Sequence, residues 1–148
     1  MPTYKGKFTP DNPNKYMGDV ENIIYRSGWE RRAMKYFDNT PGVLKWASEE
    51  VVIPYYDSVS KKVRRYFPDF LIKVQTAEGS TQTHLIEVKP SKDLRPPVGG
   101  RGKKKSTVLY EMKTYRMNQD KFAAARKWCD DRNIIWDVWT EKHLKQKG

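Results

Sequence analysis

Cysteine is almost missing from this chain of 148 residues: Cys129 stands alone, so neither an internal disulfide nor a cysteine-based zinc site can form. Its neighbours Ala123, Ala124, Ala125 and Trp128 give a helical pattern, in which a buried, inert thiol is expected. Histidine is nearly as scarce, with His84 and His143 the two present, which disfavours chemistry built on a histidine cluster. His84 is expected to be structural or exposed. No run approaches the roughly 20 apolar residues of a membrane-crossing helix, and the first residues lack the apolar core of a secretory signal. The expectation is a soluble protein, not secreted, with no membrane partner, no internal repeat and no nucleotide cofactor. Acids are in the minority: Asp and Glu number 18 against 29 Lys and Arg, a formal charge of +11. Such an excess on a small domain favours a polyanion, either nucleic acid or an anionic membrane surface, and with no membrane span the expected partner is double-stranded DNA.

The stretch from Arg64 to Lys89 carries the chemistry. Two apolar-rich runs of strand length, Arg64 to Val74 and His84 to Lys89, flank a polar break and read as a β-hairpin or short meander. Successive strand side chains point to opposite faces, so Ile86 and Val88 share one face while Leu85, Glu87 and Lys89 share the other. Glu87 and Lys89 then lie roughly 6 to 7 Å apart. On the first run Phe70, Ile72 and Val74 fall together and Asp69 lies opposite, near the start. If the apolar faces meet one core, Asp69, Glu87 and Lys89 converge.

Two carboxylates a few ångströms apart repel, and a hard divalent cation that prefers oxygen relieves the repulsion. Mg²⁺ is the expected ion, with Mn²⁺ as a substitute. A cation so held polarises a phosphodiester and acidifies bound water, while a nearby ammonium orients that water or offsets developing charge.

The length favours one domain with a proper core. Residues 1–20 read as an extended basic arm, with Lys5, Lys7 and Lys15 interleaved among Tyr4, Phe8 and Tyr16, either draped over a partner or packed by its aromatics. Residues 21–148 form the domain. Ser27 to Asn39 reads as a helix: Ser27 and Glu30 make a capping box, and Trp29, Ala33, Tyr36 and Phe37 form its apolar stripe. Glu30 has two readings, a bond back to the Ser27 N–H or a third carboxylate for the metal. Val43 to Ala47 and Glu50 to Tyr56 are candidate strands, the second stopped by Pro54 or by Asp57 and Ser58.

Arg64 and Arg65 lie beside the acids and suit phosphate contact. Residues 91–105, rich in Pro, Gly and base, read as a flexible loop whose Arg101, Lys103, Lys104 and Lys105 can close over a DNA backbone. A helical pattern runs from Ser106 or Thr107 to Met117 and resumes after Asn118, read as a cap. Lys121 in that second helix has a DNA role or none. Asn133 closes the helix, and Ile134 to Trp139 alternates as a last strand.

Pro68-Asp69 followed by Glu87-Val88-Lys89 resembles the signature of the PD-(D/E)xK nuclease superfamily. That resemblance implies an α/β fold with a restriction-endonuclease-like core, a mixed central sheet flanked by helices. It also implies that Asp69 and Glu87 bind Mg²⁺ and that Lys89 assists the attacking water. An acid on the helix before the sheet, here Glu30, commonly joins the metal site in that superfamily. More narrowly, several stretches are similar to the head-completion nucleases of contractile-tailed phages. They include Lys15 to Asp19, Ile24 to Ser27 with Trp29-Glu30, Val52 to Tyr55, Arg64 to Phe67, Glu87 to Pro90, Pro96 to Val98, Tyr115 to Lys121 and Trp139 to Glu141. The likeness spans nearly the whole chain. It implies an endonuclease, also exonucleolytic, acting on packaged phage DNA in head completion and head–tail joining. Portal or neck proteins of the phage head would be partners, and the location would be the virion or the host cytoplasm during assembly. Transposase endonuclease subunits share the core more distantly. The alternatives are a non-catalytic DNA-binding protein of the virion neck and a junction-resolving nuclease.

Overall fold

The computed structural model describes residues 5–100 and 102–147, so Arg101 lies outside the described residues. In chain order the elements are β1 (Gly6–Lys7), a 3-10 turn (Pro13–Lys15), β2 (Ile24–Tyr25), α1 (Gly28–Asn39), β3 (Val43–Ser48), β4 (Ile53–Asp57), β5 (Lys62–Tyr66), β6 (Phe70–Gln75) and β7 (Thr81–Val88). A second 3-10 turn (Ser91–Leu94), α2 (Lys105–Asp131), β8 (Ile135–Trp139) and α3 (Glu141–Lys147) complete them. The central sheet is mixed, in the order β3-β6-β7-β8. The first two junctions are antiparallel and β7 runs parallel to β8. Parallel neighbours need a long crossover, and α2 supplies it. The expected α/β class with a mixed central sheet and flanking helices is the architecture observed.

Alternation along β6 and β7 sends side chains into two separate cores. Phe70, Ile72 and Ile86 pack with Trp46, Trp139 and Leu144 against Ala33, Met34 and Phe37 of α1. The Phe37 and Phe70 rings meet edge to face at 5.1 Å. On the opposite face Leu85 packs with Ala125 and Cys129 of α2 and with Ile53, Tyr55 and Tyr66 of the β4–β5 hairpin. The face that carries Glu87 is therefore itself roofed by helix and hairpin. Cys129 is fully buried there, as expected, and burial pushes its thiol up to about 11.

The structure corrects several readings. Arg64 to Val74 is two strands: β5 pairs with β4, β6 pairs with β3 and β7, and Phe67, Pro68 and Asp69 turn between them. Pro54 lies inside β4, opposite Arg65, and does not stop it. Asn118 caps nothing; it is buried, 6 % exposed, in the middle of one continuous 27-residue helix. The segment after Pro90 opens with a 3-10 turn that the composition did not suggest, and α3 follows β8 unforeseen. Helix α1, by contrast, starts where the capping pattern places it, with Ser27 as N-cap. Asn133, read as the end of the second helix, takes the left-handed conformation with φ 57°.

Candidate active site

Pro68 decides where the site forms. It has no N–H and it biases Phe67 toward extended backbone, so the ladder breaks between β5 and β6. The chain enters the central sheet at Asp69. Phe70, the first residue of β6, pairs with Ile86 of β7, which leaves Asp69 across from Glu87 just outside the ladder. The Val88 N–H donates to Asp69 Oδ2 at 2.7 Å, and the Asp69 N–H donates to Glu87 Oε1 at 3.3 Å. Each carboxylate is thus held by the strand that carries the other.

Glu87 is only 6 % exposed, and a buried carboxylate needs donors. The Tyr66 hydroxyl gives one to Oε1 at 2.8 Å, and Lys89 Nζ lies 3.5 Å from Oε2. Lys89 is two residues further along the same face, as the alternation requires. Its backbone N–H donates to the Trp139 carbonyl at 2.9 Å, extending the β7–β8 pairing through the lysine. Just beyond, Ser91 gives its N–H and hydroxyl to Glu141 at 2.9 and 2.6 Å, fastening the strand's exit to the start of α3. These donors hold the Glu141 carboxyl down at about 2.

The electrostatics are those of acids held together at a cost. Burial first, then the charges of Glu87 and Glu30, push the Asp69 carboxyl well above the usual carboxylate range. Burial also raises Glu87, against the pull of Lys89, the Tyr66 hydroxyl and the Asp69 N–H. Burial raises Glu30 as well, helped by the charges of Glu49 and Glu87.

Glu30 reaches the pair through its field and reaches its own helix through contact. Ser27 Oγ accepts the Glu30 N–H at 3.1 Å and donates to Glu30 Oε2 at 3.3 Å. The expected return bond to the Ser27 N–H goes instead to the Arg26 N–H, at 3.4 Å. Among the described residues no three His, Cys, Asp or Glu side chains gather into a metal-holding group; Asp69 and Glu87 form the pair, and Glu30 stands outside it. That pair still fits a hard divalent cation by its chemistry. Both ligands are carboxylates whose ionisation is opposed by burial and by each other, and a cation relieves that opposition. Asp69 Oδ1 carries no hydrogen bond among the described residues, while Oδ2 is fixed by Val88.

The basic residues separate into two groups. Lys121 is half-buried beside the acids, its ammonium 5.9 Å from the Tyr55 ring centre and 5.6 Å from that of Tyr66. Burial and then the charge of Lys89 lower its pKa. Arg64 turns back into the hairpin, 3.1 Å from the buried Asp57. Arg65 lies over the Phe67 ring at 5.7 Å. Lys103 pairs with Glu111 at 3.0 Å, and Lys104 and Lys105 begin α2, exposed. Of the basic residues expected to touch DNA, the structure brings Lys121 to the acid pair and leaves Arg65, Lys103, Lys104 and Lys105 on the surface.

Three residues of the site were not read from the sequence. Tyr66 was assigned to the same strand as Asp69, where alternation excludes it from the acid face; the break at Pro68 is what lets its hydroxyl reach Glu87. Glu49 follows β3 with φ 55°, gives its N–H to the Asp69 carbonyl at 3.0 Å and takes Arg26 in a two-pronged bond at 2.9 and 3.2 Å. That pairing spans loops far apart in sequence and has no local signature.

Residues 40–141 match the family described as TnsA-like endonuclease N terminal. The chain is also 37% identical, over 98% of its own length and 96% of the relative's, to the head completion nuclease of Enterobacteria phage T4.

Proposed function

Because the chain belongs to the TnsA-like endonuclease family, whose fold is the restriction-endonuclease-like one, we propose that this nuclease is a divalent-metal-dependent DNA endonuclease of the PD-(D/E)xK type. The observation that carries the reading is the juxtaposition of Asp69 and Glu87 across the end of the β6–β7 ladder, with Lys89 3.5 Å from Glu87. Asp69 and Glu87 are the residues to hold Mg²⁺, or Mn²⁺ in its place, and Glu30 adds a third negative charge. Such a cation supplies polarisation of the phosphodiester and a more acidic bound water.

The chain's own groups do the rest. Lys89 presents an ammonium that orients the attacking water and offsets charge growing on the phosphate. Tyr66 fixes Oε1 of Glu87, so that this carboxylate cannot swing away from Asp69. Lys121, over the Tyr66 ring, adds positive charge that favours the ionised Glu87. The exposed cations suit backbone contact, so cleavage has little sequence preference.

Similarity to a head completion nuclease supports a role on packaged phage DNA, with exonucleolytic trimming and joining of heads to tails as its context and neck proteins as its neighbours. A plasmid-nicking assay tests the chemistry. Wild type nicks duplex DNA with Mg²⁺ and stops with chelator, while Lys89→Ala and Asp69→Ala bind DNA without nicking it. Full activity in Lys89→Ala would remove the mechanism. Duplex binding with no cleavage by wild type in either metal would leave a DNA-binding neck protein, and a preference for branched over linear duplex would favour a junction-resolving enzyme.

A further inference from the structure

The N-terminal arm and α1 enclose a feature that the cleavage chemistry does not use. A cleft of about 340 Å³ opens between them, with Lys7, Thr9, Asp11, Tyr25, Arg31 and Lys35 in its walls. Arg31 and Lys35 stand four residues apart, so their charged heads leave the same side of the helix and repel. Among the described residues neither has an acidic partner. Lys7 touches Glu21 at 3.5 Å, and both ends of that pair are mostly in solvent. Three cations, Lys7, Arg31 and Lys35, and the Thr9 hydroxyl line a wall in which Asp11 is the single acid, a charge balance that favours an oxyanion.

The walls are fixed. Asp38 accepts the N–H groups of Asp11 and Asn12 at 2.7 and 3.2 Å. Lys15 spends its ammonium on the carbonyls of Asp38 and Thr40, at 3.0 and 2.9 Å. Phe8 is buried against Trp46. Tyr25 lies so close over Gly6 that a Cβ there would sit 2.7 Å from its ring carbon Cζ, and the Arg31 guanidinium lies 5.8 Å from the same ring.

We propose that this cleft binds a backbone phosphate of the DNA duplex that the catalytic centre cuts. The assignment rests on the nuclease reading above and extends it to a second contact. Helix α1 joins the two places: Glu30, whose charge reaches Asp69, and Arg31, in the cleft wall, are consecutive, with Cα atoms about 3.8 Å apart. Phosphates recur about every 3.4 Å of duplex axis on each strand. A duplex lying along α1 would present phosphates at that repeat both to the acid pair and to the cleft.

The test is fluorescence anisotropy with a labelled 30-base-pair duplex in chelator, on wild type and on Arg31→Ser/Lys35→Ser. Both side chains are exposed, and matched melting curves verify the fold. The double variant binds about tenfold more weakly, and its salt slope is shallower by about 1 to 2. Its nicking rate at saturating duplex is unchanged. Equal affinity and slope in the two proteins would overturn the proposal. Titration with inorganic phosphate, followed by amide NMR shifts, moves Thr9 and Tyr25 in wild type and not in the variant; phosphate binding without any loss of duplex affinity would overturn the DNA assignment. Lys89→Ala keeps full duplex affinity in the same assay. Were it still to nick, the catalytic reading would fall while the binding results for the cleft stood unaltered.

Discussion

Tyr66 and Glu87 are joined by a buried hydrogen bond of 2.8 Å, the phenol donating to Oε1, although they lie in different sheets. The bond couples the β4–β5 hairpin to the central sheet at the acid pair. A donor to a buried carboxylate stabilises by about 1.5 to 3 kcal/mol. Tyr66→Phe removes only that hydroxyl. The expected outcome is single-turnover cleavage slowed about tenfold or more at saturating DNA with duplex affinity unchanged, and a higher Mg²⁺ concentration for half-maximal Mn²⁺ displacement, read by Mn²⁺ resonance.

The raised carboxyls make metal-free stability depend on pH in a defined direction. In the folded chain Asp69 and Glu87 hold their protons above the pH at which they lose them when unfolded. The native state then binds more protons than the unfolded state, so the pair's contribution falls as pH rises from about 4 through the raised folded values. Chemical unfolding in chelator at pH 5, 6, 7 and 8 reads this decline. Asp69→Asn, which cannot ionise, flattens it and is the more stable protein at the upper end; added Mg²⁺ stabilises wild type there and leaves the variant unmoved.

Glu30 separates its two roles by substitution. Ser27→Ala deletes the N-cap bond and costs about 1 kcal/mol, with cleavage retained. Glu30→Gln keeps an acceptor for the Ser27 and Arg26 donors while losing the charge. Its melting temperature stays within a few degrees of wild type, and its Mg²⁺ requirement rises several-fold, measured by titrating the nicking rate.

Lys121→Met retains the stem over Tyr55 and Tyr66 and removes the cation. Its charge pulls the Glu87 carboxyl down, so the variant's acid limb in a pH–rate profile moves to higher pH, with the rate at pH 6 lowered several-fold and the thermal stability little changed.

Glu87 and Lys89 were legible because strand alternation makes them share a face, and Asp69 because it immediately precedes Phe70, which opens β6 on the core face. Helix α1 was legible because Ser27 and Glu30 form a local pattern. Strand β4 was legible in its β-branched run, but its hairpin partner β5 was not, since the charged Lys62 to Arg65 run hides a strand whose outward residues are cations and Val63. Asn118 misled because a polar residue after Met117 has the chemistry of a cap, whereas its burial comes from tertiary packing that no short window reveals.

Amide exchange along α2 follows the same packing. Leu109, Tyr110 and Met112 are more than half exposed, while Phe122, Ala125 and Cys129 are buried. Amides of residues 109–112 exchange orders of magnitude faster than those of 122–129, measured by mass spectrometry or NMR.

One uninterrupted rod of 27 residues is about 40 Å long. Its inner end supports the floor beneath Tyr66, and its outer turns stand clear of the body. A kink at Asn118 would have decoupled them. Instead, the exposed first turns and the segment that bears Lys121 belong to one rigid element, with the lysine about two-thirds of the way along it.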